Sequence, residues 1–338
     1  MTETSDRADA GPAPPAPPEL PARRYRSLTT FTIEGRQAPG LFVVGWLVTL
    51  VGIGLTATVA LGIPGLHGLF MSLGSLLALS VGLVLLAGSQ TMERRAVGAT
   101  YAGPAPLLVL LAVVAISRLV GFLVGLPLLA VADRIPVALG DLLAVAVQGV
   151  VFFGVVRLLI VGPGVLRWTE MGWVGARAEA LRALLGGAVY AGPVILVTSV
   201  IAVAAVGLAG VTPPSPLPPT HTLDGLVLHL VAGAMIAPVA EELLFRGFAL
   251  TAWRRTVGVR GAITRSAIVF VLAHVLFVSG DTFGETVRLA LVAGLVRIPV
   301  AIALGWLFVR TGSIWGPIGL HAAFNGILIA IAETAGGV

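Results

Sequence analysis

Ala237-Pro238-Val239-Ala240-Glu241-Glu242-Leu243-Leu244-Phe245-Arg246-Gly247 places two adjacent carboxylates at the end of a segment otherwise suited to lipid. An acidic side chain inside a membrane segment costs about 3 kcal/mol on insertion scales and more in simulation, so it faces the protein interior and serves a purpose there. On a helix, Glu242 and Arg246 stand at i and i+4 and pair along one face, while Glu241 points about 100° away with its charge unassigned. Outward from this stretch, polar residues inside apolar runs are few. They are His274 in Phe270-Val271-Leu272-Ala273-His274, and His321 with Asn325 in His321-Ala322-Ala323-Phe324-Asn325. The i, i+4 spacing puts His321 and Asn325 on one helical face, able to point into one cavity.

The surrounding composition demands a membrane. With 57% hydrophobic and 11% charged residues and a mean hydropathy of +1.01, the 338-residue chain cannot be an ordinary soluble protein. The expected fold is all-α, a polytopic membrane protein of eight or nine transmembrane helices. The absence of cysteine removes thiolate nucleophiles, thiolate metal sites and disulfides. All 21 basic residues are arginine, and they fall beside apolar segments rather than in a basic patch. The net charge of +5 is therefore a topology signal, and nucleic acid is set aside as a partner.

Residues 1–38 are polar and Pro-rich, including Gly11-Pro12-Ala13-Pro14-Pro15-Ala16-Pro17-Pro18, and are read as a disordered, extended tail. Nine apolar segments follow, at 41–63, 69–90, 105–127, 138–161, 182–208, 225–247, 262–278, 287–309 and 313–333. Each reaches or approaches the roughly 20 residues that cross a bilayer core. Arg23, Arg24, Arg26 and Arg36 precede the first segment, and the next connection, near His67, has no arginine. Arg94 with Arg95, then Arg167, Arg177 and Arg182, then Arg254, Arg255, Arg260 and Arg265 alternate with connections that carry Arg134 alone or, in the Pro-rich 208–222, none. The positive-inside rule then puts the N-terminus in the cytoplasm and the C-terminus outside, in a multi-pass protein of the cell membrane. On this topology Glu241, His274, His321 and Asn325 reach a similar depth, roughly 9 to 18 Å inside the cytoplasmic end. Arg118, Asp141, Arg157 and Arg297 also lie within apolar segments and are expected to form interhelical ion pairs or to snorkel. His67 and His229 are read as interfacial.

A carboxylate, two imidazoles and an amide at one depth can activate a water by general-base catalysis or through a metal ion. Glu241, His274 and His321 would supply the three protein ligands of a catalytic zinc. Without metal, Glu241 and His274 would share the water, leaving His321 and Asn325 to donate to an oxyanion.

Glu241-Glu242-x-x-x-Arg246, Phe270-x-x-x-His274 and His321-x-x-x-Asn325, in this order, resemble the three motifs of the CPBP intramembrane protease family, also called the CAAX-protease and bacteriocin-processing or Abi family. The resemblance covers about residues 182–335 and includes Ala237-Pro238 and Gly312-Ser313-Ile314-Trp315. It implies an all-helical membrane endopeptidase in which Glu241 activates water and Glu242 and Arg246 support it. His274, behind Phe270, would complete a water or metal site, and His321 with Asn325 would complete the site or stabilise the oxyanion. Zn2+ is the cofactor to consider, and a membrane-anchored or peptide substrate in contact with the lipid bilayer is the expected partner. Residues 39–181 are read as accessory transmembrane helices and 182–338 as the protease core. The scissile bond is expected near the cytoplasmic side. An ion- or proton-coupled transporter would use similar residues, but the polar groups cluster in the last third and no two-half repeat is evident. A non-catalytic scaffold derived from the family is the other alternative, and intact motifs argue against it.

Overall fold

The computed structural model describes residues 35–335, and every regular element among them is helical. The tail expected over 1–38 lies, up to residue 34, outside the described residues. The helices are α1 (Pro39–Ala60), α2 (Gly65–Ala96), α3 (Pro106–Leu128), α4 (Val137–Val156), α5 (Arg177–Ala188), α6 (Ala191–Ala209), α7 (Leu223–Leu230), α8 (Ala237–Glu242), α9 (Thr251–Val275), α10 (Phe283–Leu295), α11 (Ile298–Thr311) and α12 (Trp315–Thr334). By length and apolarity they make eight candidate membrane spans, because several consecutive helices run on as one. The protein is thus a multi-pass, all-α membrane protein.

The sixth span, Leu223–Val275, runs to 53 residues, far longer than a bilayer requires. A straight helix would hold residues 245 and 266 about 32 Å apart. Instead the Ser266 hydroxyl donates to the Phe245 carbonyl at 3.1 Å. The chain therefore reverses between them, and it does so at Gly258, whose φ of 75° and ψ of −179° only glycine adopts readily. The span is two antiparallel helices, matching the separate apolar segments read at 225–247 and 262–278.

Helices meet where side chains are small. A Cβ on Gly52 would stand 2.8 Å from the backbone nitrogen of Leu79, so α1 and α2 touch nearly backbone to backbone. The same device seats α12 against α5. A Cβ on Gly187 would lie 1.9 Å from the Gly316 carbonyl, and one on Gly319 would lie 1.9 Å from the Leu184 carbonyl. That crossing fixes α12 two residues ahead of His321.

The two membrane faces are separable by contacts between connections. On one face Arg95 donates to the Pro163 carbonyl, Arg255 pairs with Glu170 at 2.6 Å, and the Ile314 amide donates to the Gly172 carbonyl at 2.9 Å. Hydrogen bonding by the Arg167 amide and its ion pair with Arg255 hold Glu170 below the usual carboxylate range. On the other face the Thr220 and His221 amides donate to Glu333 at the end of α12, at 3.0 and 2.7 Å. The arginine-rich connections gather on the first face, and the Pro-rich connection and the end of α12 share the second.

Candidate active site

Glu241 and Glu242 lie in α8, a short α-helical stretch between two π-helical ones, Val231–Ile236 and Leu243–Leu250. Pro238 accounts for the first widening, since it has no N–H to offer a preceding carbonyl. At π spacing that carbonyl belongs to Gly233. The Asn325 side-chain amide fills the gap, donating to the Gly233 carbonyl at 2.9 Å. The motif asparagine thus joins α12 to the turn that presents the acidic pair.

The two glutamates have different surroundings. Glu242 is fully buried, and its Oε1 accepts from Arg246 Nη1 at 2.9 Å and from His321 Nδ1 at 2.9 Å. Arg246, equally buried, sends Nη2 to the Ala301 carbonyl at 3.2 Å and lies 4.5 Å from the centre of the Phe270 ring. Phe270 stands between this guanidinium and the His274 ring, 4.4 Å from the latter. The i, i+4 pairing of Glu242 with Arg246 is as the sequence indicates.

Glu241 has no such partner. Its Oε2 is buried and accepts no hydrogen bond, standing 3.6 Å from His274 Nε2 and 3.9 Å from His321 Nε2. Those separations are too long for direct hydrogen bonds and suit a bridging water. Both imidazoles are fixed from behind. His274 Nδ1 donates to the Phe270 carbonyl at 2.8 Å, and His321 Nδ1 donates to Glu242. In each neutral ring the lone pair is therefore on Nε2, facing Glu241.

This set has the donor types of a zinc site, including tethered second nitrogens. Its spacing is wider than a closed site needs, since zinc bonds of about 2.0 to 2.1 Å bring tetrahedral donors within roughly 3.4 Å of one another. Among the described residues no three His, Asp or Glu side chains are arranged to hold a metal ion.

Glu241, His274, His321 and Asn325 line one cavity of about 520 Å³, with Phe245 and Phe270 in its wall. Val145, Gln148 and Phe152 of α4 line it too, so a helix from the part read as accessory contributes to the site. Arg297 was expected to make an ion pair or snorkel. It lines the cavity instead, and its Nη1 donates to the Ala293 carbonyl at 2.7 Å, near the end of α10. Arg118 stacks over the Phe277 ring at 3.8 Å rather than meeting an acid, and Arg157 is exposed.

The reading of His229 as interfacial is overturned. It is 1% exposed, with Nδ1 2.6 Å from Glu333 Oε1 and Nε2 3.2 Å from Asp141 Oδ2. A buried carboxylate from α12 and a half-buried one from α4 hold it inside, where it lines the far end of the same cavity. No local signal shows this, because both partners are remote in sequence. His67 is exposed near the start of α2.

Residues 223–327 match a family model described as Rce1-like, type II CAAX prenyl endopeptidase Rce1-like. No curated protein and no solved structure shows significant similarity to the chain. The matched segment contains Glu241, Glu242, Arg246, Phe270, His274, His321 and Asn325, and over these 105 residues the chain is similar to that CAAX protease family.

Proposed function

We propose that the protein is an intramembrane endopeptidase in which Glu241 activates water without a metal ion. The observation that carries this reading is the unpartnered Glu241 Oε2 facing two imidazole lone pairs whose rings are held from behind. A water between these groups would be ordered by His274 and His321 and deprotonated by Glu241. Its oxygen bonds to the scissile carbonyl carbon and the C–N bond breaks. The proton held by Glu241 passes to the leaving nitrogen, so one water and one peptide bond give one carboxyl and one amine. Asn325 spends one amide N–H on Gly233 and has a second for the developing oxyanion. Glu242, Arg246 and Phe270 act behind the first contacts by holding His321 and His274.

A transporter reading would use the same groups as a proton relay. The match to an endopeptidase family over residues 223–327 favours proteolysis. Comparing peptide termini in membranes from cells carrying the chain or its Glu241→Ala form tests the choice. Termini present only with the unaltered chain support the endopeptidase, and identical termini argue against it. Metal content decides the chemistry. Cleavage that survives chelation in a zinc-free preparation is expected, whereas about one zinc per chain, lost together with activity on chelation, would assign Glu241, His274 and His321 to metal.

A further inference from the structure

Between Asp141 and Arg157 the sequence of α4 is apolar except for Gln148. A carboxamide in the middle of a membrane span ordinarily hydrogen-bonds to a neighbouring helix, since lipid offers it no partner. Gln148 is half-buried and makes no hydrogen bond with any described residue. With Val145 and Phe152, its i−3 and i+4 neighbours, it forms the face of α4 that lines the cavity of Glu241.

A close helix contact fixes its level. A Cβ on Gly149 would stand 3.3 Å from Ile236 Cγ2 and 3.6 Å from Ala240 Cβ, so α4 packs against the turn that carries the acidic pair. Gln148 adjoins Gly149, Glu241 adjoins Ala240, and both side chains reach the same cavity. Most other polar side chains of that wall are engaged. His229 pairs with Glu333, Ser215 donates to the Leu217 carbonyl, and Arg297 donates to the Ala293 carbonyl. Thr198 of α6 keeps an unpartnered, buried hydroxyl. That is a single atom, whereas the Gln148 carboxamide presents an acceptor and a donor side by side.

A peptide held in an apolar cavity has to satisfy its own backbone. Each residue brings one N–H and one C=O, and either group left unpaired away from water destabilises the bound state. In an extended chain the N–H and C=O of one residue point to the same side, the arrangement by which paired strands exchange two hydrogen bonds. One carboxamide matches that pair. We propose that Gln148 clamps the substrate main chain beside the scissile bond, its Oε1 accepting the N–H and its Nε2 donating to the C=O of one extended residue. The clamp reads backbone rather than side chain. It comes from outside residues 223–327, which match the family model, and so makes α4 a working part of the site. The proposal rests on the endopeptidase reading for the identity of the occupant.

Gln148→Met keeps the length of the side chain and removes both hydrogen-bonding groups. With the fastest-cleaved member of a library of extended apolar peptides, it is expected to raise KM about 10-fold and leave kcat within about threefold, as loss of an interaction common to ground and transition states does. Its melting temperature is expected to match that of the unaltered chain, because no protein group loses a partner. A scan in which each backbone nitrogen of that peptide is methylated in turn locates the contact. At one position near the scissile bond, methylation is expected to cost the unaltered chain about 10-fold in kcat/KM and Gln148→Met less than about twofold. Identical scans in the two proteins, an unchanged KM, or a melting temperature that falls in step with activity overturns the proposal. Binding separates it from the endopeptidase reading. In a Glu241→Gln background, where no turnover is expected, Gln148→Met is expected to weaken binding of the same peptide, fluorescently labelled, by about 10-fold. Equal binding overturns the clamp and leaves proteolysis standing, whereas a library of which the unaltered chain cleaves no member overturns the endopeptidase reading and the clamp with it.

Discussion

Glu241 and Glu242 are neighbours in sequence but belong to different circuits. Glu242 neutralises a fully buried guanidinium and anchors His321, so Glu242→Gln is expected to leave Arg246 with an uncompensated buried charge. That costs about 3 to 5 kcal/mol and is seen as a lower melting temperature in detergent together with lost cleavage. Glu241→Gln is expected to abolish cleavage with little change in melting, because its carboxylate holds no other element. Equal thermal losses in the two variants would show that the division is wrong. Asn325→Ala is expected to lower turnover by roughly 100- to 1000-fold, as loss of one oxyanion donor does, and a turnover within a few-fold of the unaltered chain would limit Asn325 to joining helices. The Glu242–Arg246 pair was legible in the sequence because i, i+4 geometry is local. The attachment of His321 to Glu242 and the burial of His229 between Asp141 and Glu333 were not. Their partners are 79 residues away in the first case, and 88 and 104 in the second, distances over which periodicity says nothing.

At the scale of elements, the site depends on how α12 is seated. Gly319 is two residues before His321, and a methyl group there would enter the Leu184 carbonyl, a backbone atom that cannot swing aside. Gly319→Ala is expected to separate α12 from α5, displace His321 and remove most of the activity along with some thermal stability. Gly121→Ala in α3, where an added Cβ meets nothing within 4 Å, is expected to be neutral. Matched cleavage rates and melts for the two variants check this, and an active Gly319→Ala protein would contradict the seating. Hydropathy alone located the apolar segments, since length and apolarity are set residue by residue. It also kept 225–247 and 262–278 apart, with the arginines around Gly258 marking their junction. The π-helical turns on either side of α8 were beyond it. Pro238 announces a disturbed helix, but the compensating bond comes from Asn325 on another helix.

At the scale of the molecule, Glu241, two histidines and an asparagine from three apolar segments line one cavity inside a multi-pass membrane protein, with Glu242 buried behind His321. Direct evidence for hydrolysis at Glu241 would come from the purified protein in lipid nanodiscs, incubated with a library of extended apolar peptides in water enriched in 18O. With the unaltered chain, product peptides are expected to carry one 18O in the newly formed C-terminal carboxyl, and with Glu241→Gln no products are expected. Products that form at the unaltered rate in the Glu241→Gln protein would contradict the assignment of water activation to that residue.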